Sequence, residues 1–215
     1  NVSHDIKTPL TSIINYVDLL EKEQTDNPKV REYLEVLGRQ SARLKKLIED
    51  LLEASKASTG NLSVHPEECD ARVILTQTIG EFEEKLTAGE ITLKVQEENS
   101  VVLMADPRHL WRIFENLMNN ICKYAQPSTR AYVNIGQEEN RGRIIFRNIS
   151  RYPLNIDGEE LMERFVRGDG SRHTEGNGLG ISIAKSLTEL MGGTFELVVD
   201  GDLFKVMVTL PAVEK

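Results

Sequence analysis

Apolar residues at Ile6, Leu10, Ile13, Ile14, Val17 and Leu20 follow a helical spacing, and one stripe of a helix gathers them all. The chain therefore opens on an amphipathic helix. His4 points about 150° away from the centre of that stripe, and Thr8 lies on the same outer face. His4 is thus not a core residue. Pro9 has no N–H for the carbonyl of Asp5, and its ring crowds that turn. The helix is expected to bend or loosen beside His4. QTDNP interrupts the pattern, with Asp26 or Asn27 as the cap and Pro28 as the first residue of a second helix running to about Ala57. Its apolar positions are Val30, Leu34, Leu37, Leu44, Leu47, Ile48, Leu51 and Leu52, close to a heptad. Two such helices form a hairpin that buries too little surface alone. A four-helix bundle made from two chains is the natural completion.

STGN, residues 58–61, reads as a short linker. Beyond it the periodicity shortens and alternates with helical stretches, as in an α+β domain. LSVH is expected as a strand, and Asp70 caps a helix reaching about Leu86. ITLKVQE and VVLMA follow as strands joined by a polar turn at 98–100, then a helix from about Pro107 to Tyr124. AYVNIGQE and RIIFRNIS are strands around a turn at 140–142. Residues 151–178, rich in glycine, arginine and acids, form a long irregular segment. A helix from Leu179 to Met191 and a hairpin of TFELVV and LFKVMVTL over Gly201-Asp202 close the chain.

Composition narrows the classes. Of 215 residues, 40% are hydrophobic and 28% charged, which suits one or two domains with a real core. A net charge of -8 argues against a nucleic-acid partner. No stretch reaches the roughly 18 apolar residues of a membrane span, so no membrane contact is expected of this chain. Cys69 and Cys122 lack metal-ligand spacing and are read as reduced thiols of a cytoplasmic protein. Because the chain begins inside a helical pattern, an upstream part is expected.

Three constellations carry chemistry. An exposed imidazole is a nucleophile when a carboxylate orients it, and Asp5 adjoins His4. Thr8, one turn on, offers a hydroxyl to hold a water near a group attached to His4. In FENLMNNICKYA, Asn116 and Asn120 stack on one helix face, followed by Lys123 and Tyr124. Two neutral oxygen donors and a lysine suit a hydrated Mg²⁺ and its phosphates, and the tyrosine suits a nucleobase. Asparagine is a poor helix former, so three within five helical residues call for a reason. In EGNGLGISIAKSL, Gly176, Gly178 and Gly180 run into an apolar helix, whose open N–H groups form a phosphate cradle. Arg172 stands just upstream.

Together these segments resemble the sensor histidine kinases of two-component systems, over nearly the whole chain. HDIKTPL is similar to the family's H-box, NLMNNICKY to its N-box, ERFVRGDGSR to its F-box and GNGLGISIAKSL to its G2-box. The resemblance implies a dimerisation and phosphotransfer hairpin at 1–57, a linker at 58–61 and a GHKL-type α/β sandwich that binds ATP at 62–215. It implies that His4 accepts the phosphoryl group, with Asp5 as its acidic partner, and that Thr8 serves a phosphatase reaction. It further implies Asn120 as the main Mg²⁺ ligand with Asn116 beside it, Lys123 on phosphate and Tyr124 on the nucleotide. Phe165 would anchor a lid, and Gly176, Gly178, Leu179 and Gly180 would cradle phosphate, with Arg172 near it. The implied partners are a second copy of the chain and a response regulator receiver domain. The implied setting is the intracellular part of a membrane-anchored sensor.

One motif departs. Where the family has an aspartate followed by glycines, this chain reads FRNISRYPLNI, with Asn148 at the aspartate's place. A neutral amide both accepts and donates, so Asn148 is expected to hold ATP more weakly and to discriminate less against GTP. On that expectation Asn148→Asp widens the ATP-to-GTP ratio. Two rival readings follow from the same residues. One is a degenerate pseudokinase acting as phosphatase or scaffold, separated by a nucleotide titration. The other is a different GHKL enzyme, a protein serine kinase or chaperone-type ATPase, separated by the acid stability of the phosphoprotein.

Overall fold

The computed structural model describes residues 2–22, 27–97, 101–154 and 179–213, with residues 2–9, 21, 58 and 97 described by their backbone alone. Two compact units divide it, Asn1–Ser55 and Lys56–Lys215.

The first unit holds α1 (Val2–Lys22) and most of α2 (Pro28–Ser58). α1 runs through Pro9 without interruption, so the expected loosening does not break it. Asn27 is the cap of α2, its Oδ1 accepting from Lys29 N at 3.0 Å, with Pro28 first in the helix. Leu10 and Val17, a heptad apart, are buried. Ile13, Leu20, Val30, Leu37, Leu44 and Leu51, all from the two apolar stripes, are 40% to 56% exposed. The single chain thus leaves six of its stripe residues largely in water.

α2 ends in a defined stop. Gly60 N donates to Ala57 O at 3.2 Å and Asn61 N to Lys56 O at 2.9 Å, with Gly60 at φ +67°. This pairing of bonds satisfies the last carbonyls and needs a residue free to adopt positive φ.

The second unit builds β1 (Glu67–Asp70), α3 (Ala71–Ala88), β2 (Thr92–Glu97), β3 (Val102–Ala105) and α4 (Pro107–Tyr124). β4 (Arg130–Glu138), β5 (Arg141–Ile149), α5 (Leu179–Leu190), β6 (Thr194–Asp200) and β7 (Leu203–Pro211) follow. A five-stranded sheet runs in the order β2-β4-β5-β7-β6, with β2 parallel to β4 and the other pairs antiparallel. Strict alternation along β5 and β7 turns Ile144, Phe146, Val206 and Val208 inward. α4 packs between α3 and α5, and its Phe114 ring lies 5.8 Å from that of Phe146. Helices over one face of a mixed sheet make this an α/β sandwich.

Three expectations are corrected. The strand near residue 65 is EECD at 67–70, not LSVH. Segment 62–65 instead meets the start of α4: His65 N donates to Asp106 Oδ2 at 3.0 Å, and His109 Nε2 sits 3.1 Å from Ser63 O. β2 and β3 are not paired with each other. β2 joins the main sheet beside β4, while β3 pairs with β1 in a separate two-stranded sheet. The turn after β4 lies at Glu139–Asn140, with Glu139 at φ +53°, and Gly142 belongs to β5. Gly142 is glycine for space, since a Cβ there would meet Leu103 Cδ2 at 2.2 Å.

Candidate functional site

α4 begins where the sequence says it should. Asp106 Oδ1 accepts from Arg108 N at 3.0 Å, and Pro107 needs no partner for its missing N–H. That phase turns Asn116 and Asn120 inward, each 8% exposed, while Lys123 is exposed and Tyr124 half-buried. Asparagines on the buried face of a helix need partners. Asn116 Nδ2 has none in this structure. Its Oδ1 lies against the second residue of α5, where a Cβ on Gly180 would come within 3.0 Å. Gly180 therefore stands beside Asn116, with Leu179 one residue before it, and a glycine at 180 is what lets the two helices approach there.

The end of β5 joins the end of α4. Ser150 bridges to Ala125, Gln126 N donates to Ile149 O at 2.8 Å, and Arg151 N donates to Tyr124 O at 2.7 Å. Asn148, one step back, is 3% exposed. Its Nδ2 donates to Ile149 O at 3.2 Å, and its Oδ1 is buried without a partner. Ser150 Oγ donates to Tyr152 O at 2.7 Å, closing a short turn just past the strand end.

Asn116, Asn148 and Gly180 thus supply a buried unpartnered donor, a buried unpartnered acceptor and a close backbone approach. Such groups await a polar ligand. His4, Asp5 and Thr8 lie on α1, where the backbone alone is described. Phe165, Arg172, Gly176 and Gly178 lie outside the described residues. Among the described residues no three or more His, Cys, Asp or Glu gather as a metal cluster. The amide oxygens of Asn116 and Asn120 are hard donors, and they fit an ion that keeps most of its water and binds through phosphates.

One feature escaped the sequence reading. A cavity of about 300 Å³ lies on the outer sheet face beside Asn148, lined also by Gln96, Arg130, Tyr132, Arg147 and Leu203. Arg147 Nη2 donates to Asn134 Oδ1 at 2.6 Å and stacks over Tyr132 at 5.6 Å. The polar residues alternating with the core of β4 and β5 were its only signal. The two cysteines are free, and burial pushes both thiols up, so neither is a ready nucleophile.

This fold and site define a class of nucleotide-binding ATPase. The chain belongs to the histidine kinase-, DNA gyrase B- and HSP90-like ATPases, whose model matches residues 105–214. Residues 1–60 match the His kinase A phosphoacceptor domain, and the pair of matches places the chain among two-component sensor histidine kinases. It is 30% identical over 202 residues to sensor protein VanSC of Enterococcus gallinarum, covering 89% of this chain and 54% of that protein. The chain spans about half the length of several relatives that it matches. In fold it is similar to full-length ShkA solved with AMPPNP, with TM-score 0.86, 20% identity and coverage of 100% of this chain and 45% of that one. It is likewise similar to histidine kinase ThkA solved in complex with response regulator protein TrrA, with TM-score 0.67, 19% identity and coverage of 99% and 60%. Among the described residues no helix is long and apolar enough to cross a membrane.

Proposed function

We propose that this chain is the catalytic part of a histidine kinase that phosphorylates itself on His4 from ATP and passes the group to an aspartate of a response regulator. The observation that carries this reading is the pairing, in one chain, of a phosphoacceptor match at 1–60 with an ATPase match at 105–214. The domain limits are a hairpin at 1–57, a linker at 58–61 and a catalytic domain at 62–215.

ATP lies between α4 and the start of α5. Asn120 and Asn116 lie where a Mg²⁺·phosphate group would be held, and the ion would neutralise charge on the phosphates. The free Nδ2 of Asn116 can donate to a phosphate oxygen while its Oδ1 stands with that of Asn120 as a metal donor, Asn120 being the principal metal residue. Lys123 reaches phosphate and Tyr124 the base, with Asn148 at the base edge. Leu179 and Gly180 continue the cradle of Gly176 and Gly178, with Arg172 beside it and Phe165 anchoring the lid. Asp5 orients His4 so that its outer nitrogen attacks the γ-phosphorus in line, and the bond from that phosphorus to the bridging oxygen breaks as ADP leaves. Catalysis is chiefly positioning and charge neutralisation.

The exposed stripe of α1 and α2 is the surface for a second copy of the chain, which completes a four-helix bundle. The regulator docks beside this bundle. ThkA, solved with its regulator, is the relative that supports this partner. The chain is placed in the cytoplasm, as part of a membrane-anchored sensor.

The test is incubation with γ-labelled ATP. Label that is lost in acid and stable in base is expected, since phosphohistidine is acid-labile. Acid-stable label would instead fit a serine kinase. No binding in a nucleotide titration, and hence no label, would fit the phosphatase or scaffold reading. Thr8→Ala is expected to keep autophosphorylation and lose dephosphorylation of the regulator by about 10²-fold, the low end for a side chain that assists proton transfer. Equal loss of both activities would make Thr8 a structural residue.

A further inference from the structure

The alternation that turns the core residues of the main sheet toward the helices turns another set away from them. Across four strands of that outer face, Lys94, Tyr132, Arg147 and Lys205 stand in register. Arg130 is the next outward residue of β4. Arg147 and Lys205 are like charges directly opposite each other, which destabilises a sheet. Among the described residues Lys94, Arg130 and Lys205 have no ion-pair partner. The nearby acids of this face, Glu196 and Asp200, stand on the far edge strand β6. A chain with 34 acids and 26 lysines and arginines has thus gathered cations where a solvated face would mix the signs.

Arg130, Tyr132 and Arg147 line a cavity of about 300 Å³, with Ile149 and Leu203 as its apolar wall. Arg147 is held in place there. Its Nη2 donates to Asn134 Oδ1 at 2.6 Å, and Asn134 Nδ2 donates in turn to Gln96 Oε1 at 2.7 Å. Its guanidinium lies over the Tyr132 ring at 5.6 Å. A guanidinium carries five N–H groups. Asn134 takes one of those of Arg147, and Nε is buried without a partner. Cross-strand packing accounts for an arginine stacked on a tyrosine. It does not account for a second guanidinium on the same cavity, a lysine opposite the first and a donor left over.

We propose that this cavity is a second ligand site, on the sheet face away from the helices and from the nucleotide, and that it takes a small organic anion. Arg147 and Arg130 hold its carboxylate or phosphate oxygens, which the planar fork of a guanidinium fits. A flat apolar body lies against Tyr132, Ile149 and Leu203. A mostly apolar wall with a few convergent polar groups is the usual make-up of a small-molecule pocket, and this volume is at its lower limit. At about 30 Å³ for each water-sized group there is room for about ten of them, the size of benzoate or phenyl phosphate. The bound anion relieves the repulsion between Arg147 and Lys205. The inference does not rest on the nucleotide-binding reading.

The experiment is a calorimetric titration of the whole chain with phenyl phosphate, benzoate, inorganic phosphate and phenol, with AMPPNP present in excess to fill the nucleotide site. Phenyl phosphate or benzoate is expected to bind with a Kd on the order of 1 mM, and the tighter of the two names the anion. Inorganic phosphate and phenol each carry half of the ligand and are expected to bind about tenfold more weakly or worse. Arg147→Gln is expected to weaken binding about tenfold, with Arg147→Lys recovering part of the loss, since lysine restores the charge and not the fork. A thermal melt checks that these variants fold. Arg130→Gln breaks no hydrogen bond among the described residues and is expected to weaken binding about threefold or more. No binding of either organic anion by wild type at about 10 mM, ten times the expected Kd, overturns the proposal. So does affinity unchanged in both Arg130→Gln and Arg147→Gln. Inorganic phosphate binding as tightly as phenyl phosphate overturns it too, because a cationic surface without a pocket would do the same.

Discussion

Replacing His4 by glutamine is expected to abolish transfer of label from γ-labelled ATP while changing ATP affinity by no more than about twofold, the usual limit for independent sites. Glutamine keeps a polar side chain of similar reach but has no nitrogen lone pair able to attack phosphorus. His4 lies in the unit ending at Ser55, and the ATPase match begins at residue 105. The chemistry of acceptance and the chemistry of nucleotide binding are therefore carried by different parts of the chain. Label at the wild-type level in His4→Gln would remove the acceptor, and with it the proposed reaction. A parallel fall in ATP affinity would mean that the two parts are not independent.

The largest expected loss of stability is in Asp106→Ala. Asp106 is 1% exposed and caps α4. It accepts from the main chain of Arg108 and of His65 at 3.0 Å each, and from Arg108 Nη2 at 2.9 Å. The Arg108 guanidinium, aided by both N–H groups and by His109, holds its carboxyl well below the usual carboxylate range against the opposing effect of burial. A lost cap costs about 1 kcal/mol and lost charge-assisted bonds about 2 more. For a unit of this size that is a fall in Tm of roughly 10 °C. Asp106→Asn keeps the cap and should lose less than half as much. The folded carboxyl holds its charge further into acid than the unfolded one, so protons favour unfolding here. The advantage of wild type over Asp106→Asn should be full above about pH 4 and fade as pH falls below it. Melts at pH 7 and pH 3 measure this, and a constant difference would rule out the carboxylate as its source.

Much of this was legible locally. The Asp106-Pro107 start of α4, the Asp70 cap of α3 and the alternation either side of Gly201-Asp202 each carry their signal within a few residues. The departures were settled at long range. LSVH and EECD are equally short, and what draws 62–65 away from the sheet is Asp106 and His109, far along the chain. The pairing of β3 with β1 instead of β2 depends on partners that no local spacing names. At the site, the asparagine pair and Gly180 could be picked out from spacing. The contact of Gly180 with Asn116, and the unpartnered Oδ1 of Asn148, depend on neighbours brought in by the fold. The residue types were readable, but which of their atoms are left over was not.

One carboxylate closes two stretches of main chain within the sandwich: Asp106 caps α4 and also holds His65 N. The first turn of α4 and the stretch before β1 are therefore not separate events in opening. Fraying at that helix start releases residues 62–65 with it, so the two should lose amide protection together rather than one after the other.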